Sequence, residues 1–379
     1  MPRLSQLSLA ATCSSVLLLT ACTGGSTVDD DVEGADAGAG SLTSINAGYV
    51  SAIDQIGLPI GTEQGLFEER NLDVTLAEPF PTGVDAINAL EAGDVDIIQV
   101  GTPAIAAAQE GAELSLIGNY TGSATQRSID ETAAIVAAEG SEIDSEDLST
   151  LEGKSIGVSV GSINHLYLLG LLEDLRIDTD DVELVNTAPP DMAVALETGG
   201  IDAAVIWDPW PITITEQVEG SEIILRGGGY IPFIGYIVTT PTFLEENPEA
   251  VEEFLAARAA SDQWIRENPE DAASSAVQWL TGTDPEVAQE AMQYNVAQLD
   301  PRFSACNYLA LDTVGQLLAN QGQIDFDFDI NDYFEPGPIV SVMEENPELF
   351  EDLAEIPQAA AVDADYNFVR EIAQESCAV

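Results

Sequence analysis

The only histidine of the chain belongs to a polar turn, Gly-Ser-Ile-Asn-His at 161–165. The last three residues of this turn begin a predicted apolar helix over 163–175. At such a helix start, unpaired backbone N–H groups and the positive end of the helix dipole favour an anion by about 0.3–2 kcal/mol. The hydroxyl of Ser162 either caps the helix or donates a hydrogen bond to a ligand. The turn is therefore a candidate anion site. Its candidate contacts are Gly161, Ser162, Asn164 and His165.

Catalysis and metal binding by this turn are not expected. Ser162 and His165 stand three residues apart, a spacing that a nucleophile and its base can use, but no Gly-x-Ser-x-Gly sequence frames the serine. A metal site would have one imidazole and otherwise carboxylates, which are too abundant here to be informative. His165 keeps three interpretations: a ligand contact, a pH-sensitive gate, or a helix residue satisfied by its neighbours. We predict no catalytic residue, no metal and no cofactor.

A second polar segment, Trp-Asp-Pro-Trp at 207–210, follows a predicted strand over 202–207. Here Asp208 is placed to accept the ammonium group of a zwitterion, and Trp207 to form a wall of a pocket. In the alternative, one indole packs in the core and Asp208 caps the next helix. Arg127, the one cation near these loops, pairs either with an anionic ligand or with local acids. Further candidate ligand contacts at predicted strand ends are Tyr49, Thr102 and Asn119.

An internal repeat predicts the elements that position these residues. Residues 72–104 and 180–210 share a short strand, a proline loop, a helix ending in Ala-Leu-Glu, and a second strand. Another strand and helix precede each copy, at 44–70 and 155–175, so each copy reads βαβαβ. Such units form parallel sheets with helices on both faces, and they bind ligands beyond the carboxyl ends of the strands. The repeat therefore predicts an α/β fold of two similar lobes with one cleft between them.

The N-terminal residues 1–22 predict export. Arg3 precedes an apolar run that is too short to span a bilayer, and the run ends in Leu-Thr-Ala-Cys, which resembles the lipobox of bacterial lipoproteins. Cys22 is then the lipidation site, and the small and acidic residues 23–43 form a flexible tether. The predicted location is the outer face of the cell membrane, held there by lipid.

Charge and cysteine content bound the partners. Acidic residues outnumber basic ones 67 to 10, which excludes nucleic acid binding. The net charge of −57 opposes the approach of an anion, although salt screens it within about 8 Å at 0.15 M, so a zwitterion or a neutral solute fits better than nitrate. Cys306 and Cys377 are left for the exported body and are expected to pair, the alternative being two buried free thiols.

Five segments together resemble the substrate-binding proteins of ABC importers in the group that serves nitrate, sulfonates and taurine. The segments are LPIGTEQGLFEERNLDV, ALEAGDVDIIQVGTPA, LEGKSIGVSVGSINHLYLLGLLEDL, ALETGGIDAAVIWDPWP and NPEAVEEFLAARAASDQWIRENPEDA. The resemblance implies the type II periplasmic-binding fold, with crossings near 133–138 and 234–238. Lobe 1 would comprise 44–134 and 238–379, including a helical C-terminal part, and lobe 2 would comprise 135–237.

The resemblance also implies a function. The chain would be a monomeric solute receptor that closes on a small sulfonate, taurine or nitrate and delivers it to an ABC permease and its ATPase, without chemistry of its own. A first alternative ligand is a thiamine-precursor pyrimidine, stacked on Trp207 or Trp210. A second alternative is an enzyme of this fold, such as a pyrimidine synthase that consumes its own histidine, although the cysteine-rich motif of that group is absent. A third, a detached sensor lobe of a regulator, is opposed by the export signal.

Overall fold

The computed structural model describes residues 42–101, 103–125, 130–232, 235–280 and 282–377. The predicted signal peptide with Cys22, most of the predicted tether, and the candidates Thr102 and Arg127 lie outside the described residues. Within the described ranges, no helix combines the length and the hydrophobicity needed to cross a bilayer.

In the part of the chain that the structure describes, ten strands form two sheets of five. The strands are β1 (Thr43–Gly48), β2 (Leu72–Leu76), β3 (Ile97–Val100), β4 (Ser115–Thr121), β5 (Ala133–Ala137), β6 (Ser155–Val158), β7 (Glu183–Asn186), β8 (Ala203–Trp207), β9 (Glu222–Arg226) and β10 (Gly235–Thr239). The first sheet has the order β2-β1-β3-β10-β4, and the second has the order β7-β6-β8-β5-β9. The two orders match position by position, which confirms the internal repeat.

Each sheet is mixed, so the predicted parallel pairing holds for the strands of the repeat, but each sheet also contains an antiparallel strand that the repeat does not predict. The strand β1 pairs in parallel with β2 and β3, as the repeat predicts, but β10 lies antiparallel between β3 and β4. In the second sheet, β5 likewise lies antiparallel between β8 and β9. The predicted crossing segments 133–138 and 234–238 thus contain one antiparallel strand of each sheet. The lobe boundaries drawn from the resemblance stay a prediction.

Helices cover the sheets and build the C-terminal part. They are α1 (Gly57–Glu63), α2 (Gly83–Ala92), α3 (Pro103–Gln109), α4 (Ile163–Leu175), α5 (Pro189–Glu197), α6 (Trp210–Gln217), α7 (Pro241–Glu246), α8 (Pro248–Glu267), α9 (Pro269–Ala276), α10 (Pro285–Asn295), α11 (Ala305–Asn320), α12 (Gly337–Glu345) and α13 (Arg370–Ser376). Single turns of 3-10 helix lie at Ile53–Gln55, Glu68–Arg70, Leu148–Leu151, Thr179–Asp181, Val296–Gln298, Ile330–Asp332 and Pro347–Phe350.

The alternation of side chains along a central strand explains why helices lie on both faces of the second sheet. Along β5, Ile135 packs into the cluster that contains the leucines of α4, whereas its neighbour Val136 packs into a different cluster. That second cluster contains Met192 of α5 and Ile214 of α6. Because successive side chains of a strand point to opposite faces, an entirely apolar strand needs a helix layer on each side.

A disulfide joins the two ends of the C-terminal part. Cys306, in the first turn of α11, is bonded to Cys377, which follows α13, and 71 residues separate them in sequence. Both cysteines are buried in a small apolar cluster with Ala360 and Ala373. The bond ties residues near the end of the described chain to the body of the protein.

Replacing both Cys306 and Cys377 with serine is expected to lower the free energy of unfolding by about 2–4 kcal/mol, because the unfolded chain regains the entropy of a long loop. Urea unfolding under non-reducing conditions measures the loss. Wild-type protein treated with a reductant is the control and should show a similar loss. Equal unfolding midpoints for oxidised wild type and the variant would contradict the prediction.

Candidate functional site

A cavity of about 40 Å³ lies where loops of the first sheet meet loops of the second. This volume holds a few water molecules or a small solute group. The loops and strand ends of the first sheet contribute Val50, Ala52, Asp54, Gln55, Gly83, Val100, Gly101, Pro103 and Tyr120, and those of the second contribute Ser162, Ile163 and Trp207. The lining residues lie beside the carboxyl ends of β1, β3, β4, β6 and β8, as expected for ligand sites in sheets of this kind.

The start of α4 forms the wall that belongs to the second sheet. Ser162 is the N-cap of α4, and its Oγ accepts a hydrogen bond from the backbone N–H of His165 at 3.4 Å. Gly161 has a φ of +85°, a left-handed conformation that glycine adopts without steric cost and that turns the chain into the helix. Ser162 therefore caps the helix and also lines the cavity, and its hydrogen bond to a ligand stays a prediction.

Asn164 and His165 are buried in the same turn but are not among the described residues that line the cavity. The imidazole Nδ1 of His165 accepts a hydrogen bond from the N–H of Gly161 at 3.3 Å. Desolvation lowers the pKa of His165, so the ring is neutral at physiological pH. Neither amide atom of Asn164, nor Nε2 of His165, has a hydrogen-bond partner among the described residues.

Trp207 lines the cavity from the end of β8 and also contacts the loop that follows β1. The indole N–H groups of Trp207 and Trp210 both point to the carbonyl oxygen of Ser51, at 3.5 and 3.3 Å. The backbone N–H of Ile53 donates to the carbonyl oxygen of Asp208 at 3.2 Å. These contacts join the two sides of the cleft at the edge of the cavity.

The side chain of Asp208 is directed to a partner within its own sheet. Its Oδ2 accepts from Nη1 of Arg226 at 2.7 Å, and its side chain is fully buried and is not among the described residues that line the cavity. Desolvation raises the pKa of Asp208 to about 7, while Arg226 acts in the opposite direction. Asp208 does not cap α6, because the N-cap of that helix is Pro209. The structure thus shows Asp208 as part of an ion pair, and a contact between Asp208 and a ligand stays a prediction.

Tyr49 and Asn119 are also buried outside the cavity lining. The amide Nδ2 of Asn119 donates to the carbonyl oxygen of Arg302 at 2.6 Å, which fastens β4 to the C-terminal part. Burial, together with the nearby charge of Glu78, raises the pKa of Tyr49 to about 12. Of the nine predicted ligand contacts, the described cavity lining therefore contains Ser162 and Trp207.

Asp54 is the lining residue of greatest chemical interest that sequence reasoning missed. It lies in the 3-10 turn after β1 and is 5% exposed. Desolvation raises its pKa to about 7, the charge of Asp208 adds to this rise, and the backbone N–H of Asp54 itself opposes it. Among the described residues, no arginine, lysine or histidine forms an ion pair with Asp54. The sequence feature that could have revealed Asp54 is a lone acid inside the apolar run Ala-Ile-Asp-Gln-Ile-Gly-Leu-Pro-Ile at 52–60.

Gln55 fixes the shape of the same wall by three buried hydrogen bonds. Its Oε1 accepts from the N–H of Val50 at 2.6 Å, and its Nε2 donates to the hydroxyl of Tyr120 at 3.1 Å. Its carbonyl oxygen accepts from Nε2 of Gln99 at 2.9 Å. Because these groups are withdrawn from water, each bond restricts where the cavity-lining backbone and the Tyr120 ring can lie.

The family model described as NMT1/THI5 like matches residues 52–272, which is more than half of the chain. The chain belongs to the NMT1/THI5-like family. The matched residues include all the described lining residues of the cavity except Val50.

Curated relatives and solved structures agree with this assignment. The taurine-binding periplasmic protein of Escherichia coli is 29% identical over 197 residues, which cover 50% of this chain and 57% of the relative. A Brucella abortus relative is 27% identical over 224 residues, and the match covers 58% of this chain and 66% of that relative. The alkanesulfonate-binding protein SsuA of Xanthomonas axonopodis pv. citri, solved with MOPS, has a TM-score of 0.66 at 21% identity, and the likeness covers 76% of this chain and 96% of SsuA. The predicted periplasmic-binding fold is thereby confirmed.

Proposed function

We propose that this chain is the extracytoplasmic solute-binding component of an ABC importer and that its ligand is a small sulfonate or a taurine-type molecule. The observation that carries the proposal is the cavity built jointly by the two sheets, with the start of α4 in one wall. The taurine-binding and alkanesulfonate-binding proteins named above support this ligand class over the thiamine-precursor pyrimidine.

The start of α4 supplies the groups that would hold the sulfonate. The first N–H groups of a helix have no carbonyl partner within the helix, so they are directed at whatever lies beyond its end. The cavity contacts α4 at Ser162 and Ile163, the N-cap and the first helical residue. A sulfonate at this position would accept hydrogen bonds from backbone N–H groups while the helix dipole attracts its charge.

The placement of His165 supports binding without catalysis. A histidine acting as a base, or consumed as a reactant, would have to reach the cavity, and His165 is buried outside the described lining. The fold alone does not separate receptors from enzymes, since function depends on the site. The chain would accordingly release its ligand unchanged to a permease and the ATPase of that permease, with closure about the cleft as the signal.

The same proposal includes the predicted anchoring. Lipid on Cys22 and the tether 23–43 would hold a monomeric body at the outer face of the membrane. Metabolic labelling with a radioactive fatty acid tests this part, and a Cys22→Ser variant should lose the label. Label retained on that variant would contradict lipidation at Cys22.

A thermal-shift panel tests the ligand class. We expect taurine or ethanesulfonate, at about 100 times the dissociation constant, to stabilise the protein by about 2.7 kcal/mol, because the ligand binds only the native state. Nitrate and an aminopyrimidine serve as comparisons, and the buffer must contain no sulfonate. If neither sulfonate raises the melting temperature at low or high salt, the proposed ligand class is wrong.

Replacing Ser162 with alanine is expected to weaken sulfonate affinity about tenfold, because the cavity wall loses a hydroxyl that can donate to the ligand. Isothermal titration calorimetry measures the change. Thr240→Ala is the matched control, since Thr240 caps α7 by the same type of hydrogen bond at 3.1 Å and is not among the described lining residues. Equal affinities for the two variants would show that Ser162 acts only as a cap.

A further inference from the structure

The cavity has chemically different walls. On the side of the second sheet, the wall is the start of α4, with Ser162 and Ile163. The N-terminus of this helix attracts negative charge. The first sheet contributes Asp54, which carries the one carboxyl group among the described lining residues. A site of this composition has an anion-attracting side and a cation-attracting side, although it is only about 40 Å³ in volume.

The carboxyl group of Asp54 is poorly compensated within the described protein. It is 5% exposed, and each of the ion pairs found among the described residues joins an arginine to an acid other than Asp54. The charge of Asp208, another carboxylate, adds to the rise in the pKa of Asp54, although Asp208 is itself paired with Arg226. A buried carboxylate is unfavourable unless a cation or several hydrogen bonds compensate it. A bound cation would supply that compensation.

We propose that the ligand is a zwitterion whose protonated amine lies against Asp54 and whose anionic group lies at the start of α4. This inference rests on the proposed function and narrows its ligand class from sulfonates in general to aminosulfonates of the taurine type. An alkanesulfonate without an amine would leave Asp54 uncompensated, and nitrate would do the same. The aromatic rings of Tyr120 and Trp207 in the same lining also favour a cation over an anion.

The protonation state of Asp54 should make the affinity for an amine-containing ligand depend on pH. Burial raises the pKa of Asp54 to about 7, so a fraction of the ligand-free protein carries a neutral acid at neutral pH. A ligand ammonium group stabilises the ionised form and therefore releases the proton. Amine-dependent affinity should accordingly weaken as the pH falls below about 7, whereas binding of a plain sulfonate should not weaken.

The experiment compares taurine with ethanesulfonate, which lacks the amine, by titration calorimetry on the wild type and on Asp54→Asn. We expect the wild type to bind taurine at least tenfold more tightly than ethanesulfonate. In Asp54→Asn, taurine should bind at least tenfold more weakly, and ethanesulfonate should bind equally well or more tightly. Asp73→Asn, which removes the same charge from an exposed position of β2, should preserve the wild-type preference.

The other outcomes separate this inference from the proposed function. If the wild type binds both sulfonates with equal affinity, or if Asp54→Asn keeps the preference for taurine, the inference is overturned and the sulfonate receptor stands. A titration with β-alanine, which has an amine and a carboxylate, tests whether the site binds a zwitterion that is not a sulfonate. Binding of β-alanine without any sulfonate would uphold the zwitterion site and overturn the sulfonate assignment, and binding of none of the three would overturn both.

Discussion

Replacing Arg258 with methionine is expected to lower the free energy of unfolding by about 3–5 kcal/mol, because it leaves a buried carboxylate without its cation. Arg258 and Asp262 are one helical turn apart on α8, both fully buried, with Nη1 and Oδ1 at 2.8 Å. Desolvation raises the pKa of Asp262, and the positive charge of Arg258 opposes that rise. Without Arg258, the acid must either take up a proton or remain ionised in an apolar environment.

The double variant Arg258→Met, Asp262→Leu is the control. Replacing a whole buried ion pair with apolar side chains of similar volume is often neutral or stabilising, so most of the lost stability should return. Urea unfolding midpoints of the wild type, the single variant and the double variant measure this. If the double variant is no more stable than Arg258→Met, the loss comes from packing and not from the unpaired carboxylate.

Arg258 also connects the interior of the protein to the cavity. Its Nε donates to Oε1 of Gln99 at 3.0 Å, and Gln99 in turn donates to the carbonyl oxygen of Gln55 in the cavity wall. The approach of the guanidinium group requires a glycine at 57, since a Cβ atom there would lie 2.1 Å from Nη1. Arg258 therefore acts as a positioning residue, and its loss should disturb the wall that holds Asp54 and Gln55.

The repeat was the part of the fold most accessible from sequence. Local patterns sufficed to place α4 at 163–175, because an apolar helix after a Gly-Ser turn has few alternatives. The same patterns could not reveal that β10 inserts antiparallel between β3 and β4, since this pairing joins Ile97 to Thr239 across more than a hundred residues. Pairing at such a distance depends on tertiary contacts that hydrophobic periodicity does not report.

The site was predictable in position more than in residue identity. Ser162 and Trp207 line the cavity because each stands at the start of a helix or the end of a strand, a local feature. Ligand contacts of Asp208 and Asn119 stay predictions. The structure adds protein partners that local patterns do not report, since Asp208 bonds to Arg226, 18 residues away, and Asn119 bonds to the carbonyl oxygen of Arg302, 183 residues away. Asp54 was not predicted as a site residue because its neighbours in sequence, such as Ile53 and Ile56, are core residues, and an acid within such a segment has no local pattern that indicates a ligand site.

Asp54→Asn is expected to stabilise the ligand-free protein at pH 8 by up to about 4 kcal/mol, because each pH unit of pKa shift corresponds to about 1.4 kcal/mol. The native pKa of Asp54 is about 7, compared with an ordinary value of 3.8. Folding of the wild type therefore takes up a proton between these two values, and the cost of burying the ionised acid grows as the pH rises through this window. An asparagine has no such cost.

The stability gained by Asp54→Asn should consequently shrink as the pH falls and should be below about 1 kcal/mol by about pH 4, where the acid is protonated in the native state and partly protonated in the unfolded state. Thermal or urea unfolding without ligand, at several values between pH 4 and pH 8, gives the profile. Asp208 also has a pKa of about 7, so some pH dependence remains in the variant. Asp73→Asn should show no pH-dependent gain. A variant Asp54→Asn that is less stable than the wild type at pH 8 would mean that the ionised acid has a favourable partner in the free protein, and the cavity would then need no cationic group from its ligand.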